Sequence, residues 1–329
     1  MKKGLVFGKF MPLHVGHISL IEFATKLCDN LYVVLCYTDD EEIPGIIREQ
    51  WLHQALAKYK NVIFLSFPYN ENQLPNTSTY SSYASGLWSE IFKNLVPGVD
   101  VVFTSEEYGE HVANFMGIDH VSFDKARSLN PVSATDIRED PVGYWDYISE
   151  EAKPYFVKKI VILGSESTGK STLTENLAAY YNTLFVSEAG REVVAKTEEC
   201  SFDDLIMIAE LHGKKISEQI KKAHKFLFID TDINITKSYA SFLFNKNLIV
   251  SPWIEEINKA HLYLFLETDC PFIQDGTRIS EEERANLSLS HKKILAENGI
   301  KLFLIAGNWE ERFHRACEII DREIKKGDN

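Results

Sequence analysis

The chain has 329 residues, 45% hydrophobic and 25% charged, room for two or three domains that each bury a core, and this composition excludes a disordered or fibrous protein. A formal charge of -13 argues against non-specific nucleic-acid binding. The five cysteines (Cys28, Cys36, Cys200, Cys270, Cys317) are scattered with no C-x-x-C pair, which fits a reducing cytosol and offers neither a disulfide frame nor a structural zinc site.

The opening "MKKGLVFGKF" is basic and then apolar, as a signal peptide would be, but Lys9 breaks the run and Pro12, His14 and His17 follow it. The reading is a buried first strand over residues 5–10 in a cytoplasmic protein, and no stretch is long and apolar enough to predict membrane insertion. A helix over residues 18–28 shows one apolar face through Leu20, Ile21, Phe23, Ala24 and Leu27. "LYVVLCYT", "VIFLSF" and "VDVVFTS" are near-continuous apolar runs of the kind a parallel sheet covered on both faces requires. Helical stretches over residues 49–59 and 83–95 fall between them, so the first half is a layered α/β domain. The grammar restarts at "KKIVILGSESTGKSTLTENLAAYY", a strand over 158–163 and a helix over 170–181. Strands follow at "KFLFID", "HLYLFLE" and "KLFLIAG", and a charged amphipathic helix over 309–326. Two prolines mixed with charge and aromatics place a boundary near 151–156, giving domains 1–153 and 154–329.

"GSESTGKS" matches G-x-x-x-x-G-K-[ST] between a strand and a helix. Gly164 and Gly169 permit the tight turn, and Ser165, Glu166, Ser167 and Thr168 carry the main-chain N–H groups toward phosphate. Lys170 reaches the β- and γ-phosphates, while Ser171, with Thr172 beside it, opens the helix and ligates Mg²⁺. A tight turn with a solvent-facing lysine is the plainer alternative, and it leaves the hydroxyl after the lysine unexplained. In "FLFIDTD", Asp230 is the expected Mg²⁺ partner. Asp232 either helps place the acceptor hydroxyl or simply caps the next helix. In "SEAGRE", Glu188 and Arg191 either read a sugar's hydroxyls or form an exposed salt bridge. "DGTRISEEER" reads as a lid whose Arg278 and Arg284 steady the transferring phosphoryl group, or as a solvated helix. These parts imply a small-molecule kinase, and with no N-K-x-D guanine reader ATP is the expected donor.

In "GKFMPLHVGH" (residues 8–17) Gly8 and Gly16 allow close backbone approach, with Phe10 between them, and the helix start offers unpaired N–H groups to a nucleotide. His14 and His17 converge on one phosphate if the turn folds them together. Zinc would need further ligands, and none is near in sequence. This stretch resembles the first signature of the nucleotidyltransferase superfamily that transfers an adenylyl group from ATP, and "VSATDIR" resembles its second. The resemblance implies that the histidines stabilise charge on the α-phosphate. It implies too that Ser133, Thr135 and Arg138 hold the departing pyrophosphate. Physically, an acceptor phosphate attacking in line needs two anions positioned and the charge between them neutralised, which suits imidazoles, Lys9, Arg138 and Mg²⁺.

The pairing of the two halves, with "SEEYGE", "FDKARSLNPVSATDIR", "SEAGRE" and "PFIQDGTR", resembles the NadR family of bifunctional nicotinamide-mononucleotide adenylyltransferases and ribosylnicotinamide kinases over nearly the whole chain. It implies a Rossmann-like nucleotidyltransferase domain followed by a P-loop kinase domain with a parallel sheet. ATP, nicotinamide riboside and nicotinamide mononucleotide are the implied substrates, and NAD the product. Trp88 is then the candidate to stack on the nicotinamide ring, and Asp269 and Asp275 belong to a segment before the lid. The chain opens almost directly on its first strand, so the DNA-binding helix-turn-helix domain of some members is expected to be absent, and nucleic acid is not an expected partner. A homo-oligomer is left open. Another nucleoside or phosphorylated vitamin as acceptor, or an ATP- or NAD-sensing regulator with little turnover, are the alternative readings.

Overall fold

Alternating strands and helices close into two separate parallel sheets. The computed structural model describes residues 1–75, 81–194, 199–270 and 280–324, and the chain divides into two compact units, Met1–Lys153 and Pro154–Asn329. Unit one runs β1 (Lys3–Gly8), α1 (Val15–Thr25), β2 (Asn30–Tyr37), α2 (Gly45–Leu56), β3 (Val62–Pro68), α3 (Ser82–Leu95), β4 (Val101–Thr104), α4 (Tyr108–Met116), β5 (Asp119–Ser122) and the short α5 (Ala134–Glu139). Its strands are parallel in the order β3-β2-β1-β4-β5. The chain winds to one side of β1 and then returns to build the other, so the C-terminal end of β1 faces the crevice where ligands bind in open α/β sheets.

After the single turn α6 (Lys153–Phe156), unit two runs β6 (Lys158–Leu163), α7 (Lys170–Tyr180), β7 (Leu184–Val186), α8 (Gly190–Val193), α9 (Phe202–Gln219), β8 (Phe226–Asp230) and α10 (Ile233–Phe244). It ends with α11 (Pro252–Asn258), β9 (Leu262–Leu266), α12 (Glu281–Glu297), β10 (Leu302–Ile305) and α13 (Trp309–Ile324). The order is β10-β9-β6-β8-β7, again parallel, with β6 at the centre. Both phosphate-style loops therefore leave the middle strand of their sheet.

The apolar runs are buried as a two-sided sheet demands. Leu5, Val33, Val34, Val101, Val102, Ile160, Val161, Ile162, Leu227 and Phe228 are shielded from solvent, each contributing roughly 1.5–3 kcal/mol relative to exposure. Trp88 belongs to this core. At 1% exposure it stacks on Phe92 with ring centroids 5.5 Å apart, meets Phe67 and Tyr69 edge-on, and donates Nε1–H to the Pro75 carbonyl at 3.0 Å. One face is taken by Phe92 and the ring is sealed from solvent, so in this structure Trp88 is packed as a core tryptophan and not as an open platform for a ligand.

Candidate active sites

In unit one the loop from β1 to α1 folds the two imidazoles against each other, ring centroids 3.8 Å apart and planes inclined by 31°. His14 caps α1, its Nδ1 accepting from the Gly16 N–H at 3.0 Å, so the neutral ring carries its proton on Nε2. A Cβ on residue 16 would lie 2.8 Å from the His14 ring, which is why glycine stands there. Burial, and then the charge of Arg127, push the His14 pKa down to about 4. Burial, and then His14, hold His17 well below its usual value, against a hydrogen bond to the main chain of Pro12. Both rings are uncharged near pH 7, and His17 Nδ1 is buried without a partner.

Phe10 is buried and packs edge-on against His17 at 5.0 Å. It props the imidazole instead of facing a nucleotide, correcting its place among the nucleotide-binding residues. A Cβ on Gly8 would meet Phe10 at ordinary distances, its ring at 3.8 Å and its main-chain N at 4.0 Å.

The second signature reaches the first through Arg138. Its guanidinium bonds the Met11 carbonyl and Thr135 Oγ1 (3.2 Å), and lies 3.4 Å from a Glu42 carboxylate oxygen. Lys9 is held in a similar way, with Nζ 2.7 Å from Glu41. Glu41 is in turn clamped by Arg48, which also donates to the Lys9 carbonyl at 2.8 Å. Ser133 is the N-cap of α5: its hydroxyl donates to Asp136 Oδ2 (2.6 Å) and accepts from the Asp136 N–H (3.1 Å), while the Ser133 N–H also reaches Asp136 Oδ2 (2.7 Å). The hydroxyl expected to hold phosphate thus has a capping task in this structure.

In unit two the loop is tied internally. Thr168 Oγ1 donates to the Ser165 carbonyl at 2.8 Å, and Lys170 Nζ to the same oxygen at 3.1 Å. Gly169 has φ +85°, and a Cβ there would strike the Trp309 ring at 2.2 Å, so both backbone sign and space require glycine. Ser171 Oγ donates to Asp230 Oδ2 at 2.6 Å, while Asp230 Oδ1 is buried with no partner. Burial raises the Asp230 pKa to about 6, with Lys170 the strongest opposing influence.

Above this pair opens a cavity of about 470 Å³. The loop contributes Glu166, Ser167, Gly169, Lys170, Ser171 and Thr172; Glu188 and Arg191 stand on its wall; Leu205, Ile208 and Leu243 give it an apolar side. Tyr239 and His212, not singled out in the sequence, also line it. Tyr239 donates its hydroxyl to Glu166 at 3.3 Å. Burial pushes the His212 pKa down to about 4, with Lys215 adding to it and a hydrogen bond to the main chain of Asp230 opposing.

Asp232, Asp269 and Arg284 are placed otherwise than as groups facing a substrate. Asp232 caps α10, Oδ1 accepting from the N–H groups of Asn234 (3.0 Å) and Ile235 (3.2 Å) and Oδ2 from Asn234 Nδ2 (2.6 Å), so it is turned to the helix and away from a substrate. Asp269 accepts from the Gly307 N–H (2.6 Å) and pairs with Arg312, where it braces the fold. Arg312, only 1% exposed, donates also to the carbonyls of Thr168 (2.7 Å), Gly307 (2.8 Å) and Glu267 (3.1 Å), and thereby holds the phosphate loop from behind. Arg284 is buried on α12 with its guanidinium against the Cys270 carbonyl (3.5 Å) and Sγ (3.4 Å), and it does not line the cavity. Asp275 and Arg278 lie outside the described residues.

Residues 5–140 match the family described as Cytidylyltransferase-like, and residues 159–312 match the one described as AAA domain. Over 96% of its length the chain is 32% identical to the trifunctional NAD biosynthesis/regulator protein NadR of Escherichia coli (strain K12), covering 82% of that protein, and equally identical to its counterpart in Salmonella typhimurium. A crystal structure of a NadR protein in complex with NAD and AMP-PNP superposes with a TM-score of 0.80 at 23% identity, over 98% of this chain and 96% of that one. Two halves of different fold, joined in the same order over almost the whole chain, place it: the chain belongs to the NadR family of NAD-biosynthesis proteins.

Proposed function

We propose that unit two phosphorylates nicotinamide riboside with ATP, and that unit one joins the resulting mononucleotide to a second ATP, giving NAD and pyrophosphate. The observation that supports this most is the coexistence of two differently built phosphate sites, each at the end of a central strand, one of them opening on a cavity the size of a nucleoside. In unit one the mononucleotide's phosphate attacks the α-phosphorus in line. His14 offers its neutral Nε2–H to the charge that builds there, His17 joins it when its ring N–H leaves the main chain of Pro12, and Lys9, Thr135 and Arg138 attend the leaving pyrophosphate. Lys9 and Arg138 are already near the loop, held by Glu41 and Glu42, and exchange carboxylate for phosphate partners when ATP binds.

In unit two Lys170 leaves the Ser165 carbonyl for the β- and γ-phosphates, and the main chain of 165–169 cradles them. Glu188 and Arg191 stand where the acceptor's hydroxyls would lie. The residues present fit Mg²⁺: a serine hydroxyl and a carboxylate with one unpartnered buried oxygen form a hard oxygen set. When bound beside Ser171 and Asp230, the ion neutralises charge on the nucleotide's phosphates. No described helix is long and apolar enough to cross a membrane, and we place the reaction in the cytoplasm.

Mass detection of NAD formed from nicotinamide riboside, ATP and Mg²⁺ by the purified chain tests the whole sequence. Accumulated mononucleotide without NAD would remove the adenylyltransferase half of the reading. Products only from other ribosides or phosphorylated vitamins in a panel would replace the acceptor.

A further inference from the structure

We propose that Arg312 is a positioning residue for phosphoryl transfer in unit two: by fixing the Thr168 carbonyl it aims the Gly169 N–H at the phosphates of the donor nucleotide. The inference rests on the kinase reading above and deepens it.

The Thr168 carbonyl and the Gly169 N–H belong to one peptide unit. The bond is trans, so the two groups lie in one plane and point in opposite directions. Arg312 donates to the carbonyl at 2.7 Å, and Arg312 is buried and takes no part in the cavity wall. The N–H is therefore turned away from Arg312, and Gly169 itself lines the cavity. Gly169 caps α7, where the first N–H groups have no acceptor within the helix. Among the described residues nothing accepts from it. A second contact from the same turn of α13 grips this peptide. The Trp309 ring lies where a Gly169 side chain would begin, 2.2 Å from a Cβ built there, and the Arg312 guanidinium is 6.0 Å from the centre of that ring.

The guanidinium is itself anchored. It donates to the Gly307 carbonyl (2.8 Å) and the Glu267 carbonyl (3.1 Å) and pairs with Asp269, groups that follow the ends of β10 and β9. A planar fork with donors in fixed directions serves several carbonyls at once, as an ammonium does not. The loop needs such a tie. Ser167 has φ +59° and Gly169 φ +85°, and a residue with a side chain stays in this left-handed region only where its surroundings hold it. One internal tie, from Lys170 to the Ser165 carbonyl, is given up when Lys170 turns to the phosphates. The tie from Arg312 runs to the other side of the loop and is kept. The Gly169 donor is thus in place before the nucleotide arrives and stays in place as charge moves onto the departing diphosphate.

The test measures ADP formation, which belongs to unit two alone, by wild type, Arg312→Lys and Arg312→Met at varied ATP and varied nicotinamide riboside. Rates are taken per folded enzyme, with the folded fraction from thermal unfolding and adenylylation of supplied mononucleotide as the check on unit one. Arg312→Met should lose roughly 10- to 100-fold in kcat/KM for ATP, the scale expected when a donor is displaced by about 1 Å. The KM for riboside should change little, because Glu188 and Arg191 are untouched. Arg312→Lys keeps a cationic donor without the fork and should recover part of the loss. If Arg312→Met fails to fold, Arg312→Lys decides by the same split. A residue that only braces the fold would lower the melting temperature and leave both Michaelis constants and kcat of the folded enzyme as they are, and that result overturns the assignment. So does a loss shared equally between ATP and riboside. A wild type that forms no ADP with any riboside overturns the kinase reading, and this assignment with it.

Discussion

The loop after β1 and the loop after β6 occupy equivalent places in two parallel sheets, yet they handle phosphate by different means. The first relies on side chains: two stacked, neutral imidazoles, with Lys9 and Arg138 held on Glu41 and Glu42. The second relies on main chain wrapped into a cradle, one lysine folded onto the Ser165 carbonyl, and a Ser171–Asp230 pair. Adenylyl transfer builds charge at the α-phosphorus, between two groups that are already anionic, so donors must be aimed at one interior point. Transfer of the terminal phosphoryl group works at the end of the chain of phosphates, where enclosure and one mobile cation serve. The position in the fold is shared; the chemistry is set by which atoms line it.

The comparison breaks if the two sites do not act separately. The largest effect is expected from Lys170→Ala, which should lower riboside phosphorylation by roughly 10³-fold or more while adenylylation of supplied mononucleotide continues. Equal loss of both activities in a folded variant would show that the loops serve one reaction. His17→Ala is the mirror experiment. It removes one of the two imidazoles beside the α-phosphate and should cost adenylylation roughly 10²-fold, with the kinase rate unchanged. Near-normal NAD formation from mononucleotide would leave that imidazole a packing partner of Phe10 and His14.

How much of this was legible depends on the distance over which each interaction is made. "GSESTGKS" and "GKFMPLHVGH" were readable because turn, glycines and donors lie within one short stretch, and the continuous apolar runs showed which strands the sheets bury. Strands β5 and β7 were not anticipated: they are four and three residues long, lie at sheet edges, and carry little of the apolar signal. Asp232 shows a local ambiguity, since an aspartate at a strand end can equally face a ligand or cap the next helix; the N–H groups of Asn234 and Ile235 decided it. Trp88 shows another, because a helix period shows that a face is buried without showing what covers it. Arg312 was out of reach. In "NWEERF" it looks like a solvated helix charge, and its partner Thr168 is 144 residues away.

A smaller effect sharpens the account of the first loop. Arg138→Lys keeps the charge and loses the planar fork that bonds the Met11 carbonyl and Thr135 together. We expect kcat for adenylylation to fall roughly 10-fold, with the KM for mononucleotide little changed, as when an interaction made mainly in the transition state is removed. If the only defect were a raised KM for mononucleotide, Arg138 would belong to the acceptor's own phosphate.

The smallest effect concerns what burial does to charge in the two units. In unit one burial leaves His14 and His17 simply neutral, whereas in unit two it acts on Asp232, which is ionised at pH 7 despite a pKa raised from 3.8 to about 6, burial being the main cause. Above pH 6 the folded and unfolded chains both carry that charge, and folding bears the cost of burying it. As pH falls through 6 the folded state takes up a proton that the unfolded state, with its lower pKa, does not yet bind, so this group makes folding more favourable until about pH 4. Between pH 7 and pH 5 the gain is roughly 1–1.5 kcal/mol. Asp232→Asn keeps a side-chain carbonyl to accept from the N–H groups of Asn234 and Ile235 but carries no charge. The difference in unfolding free energy, Asn variant minus wild type, should therefore be larger at pH 7 than at pH 5 by that amount. Denaturant unfolding of both proteins across this range measures it, and parallel pH profiles would mean that Asp232 is not the buried charge that the cap of α10 makes it.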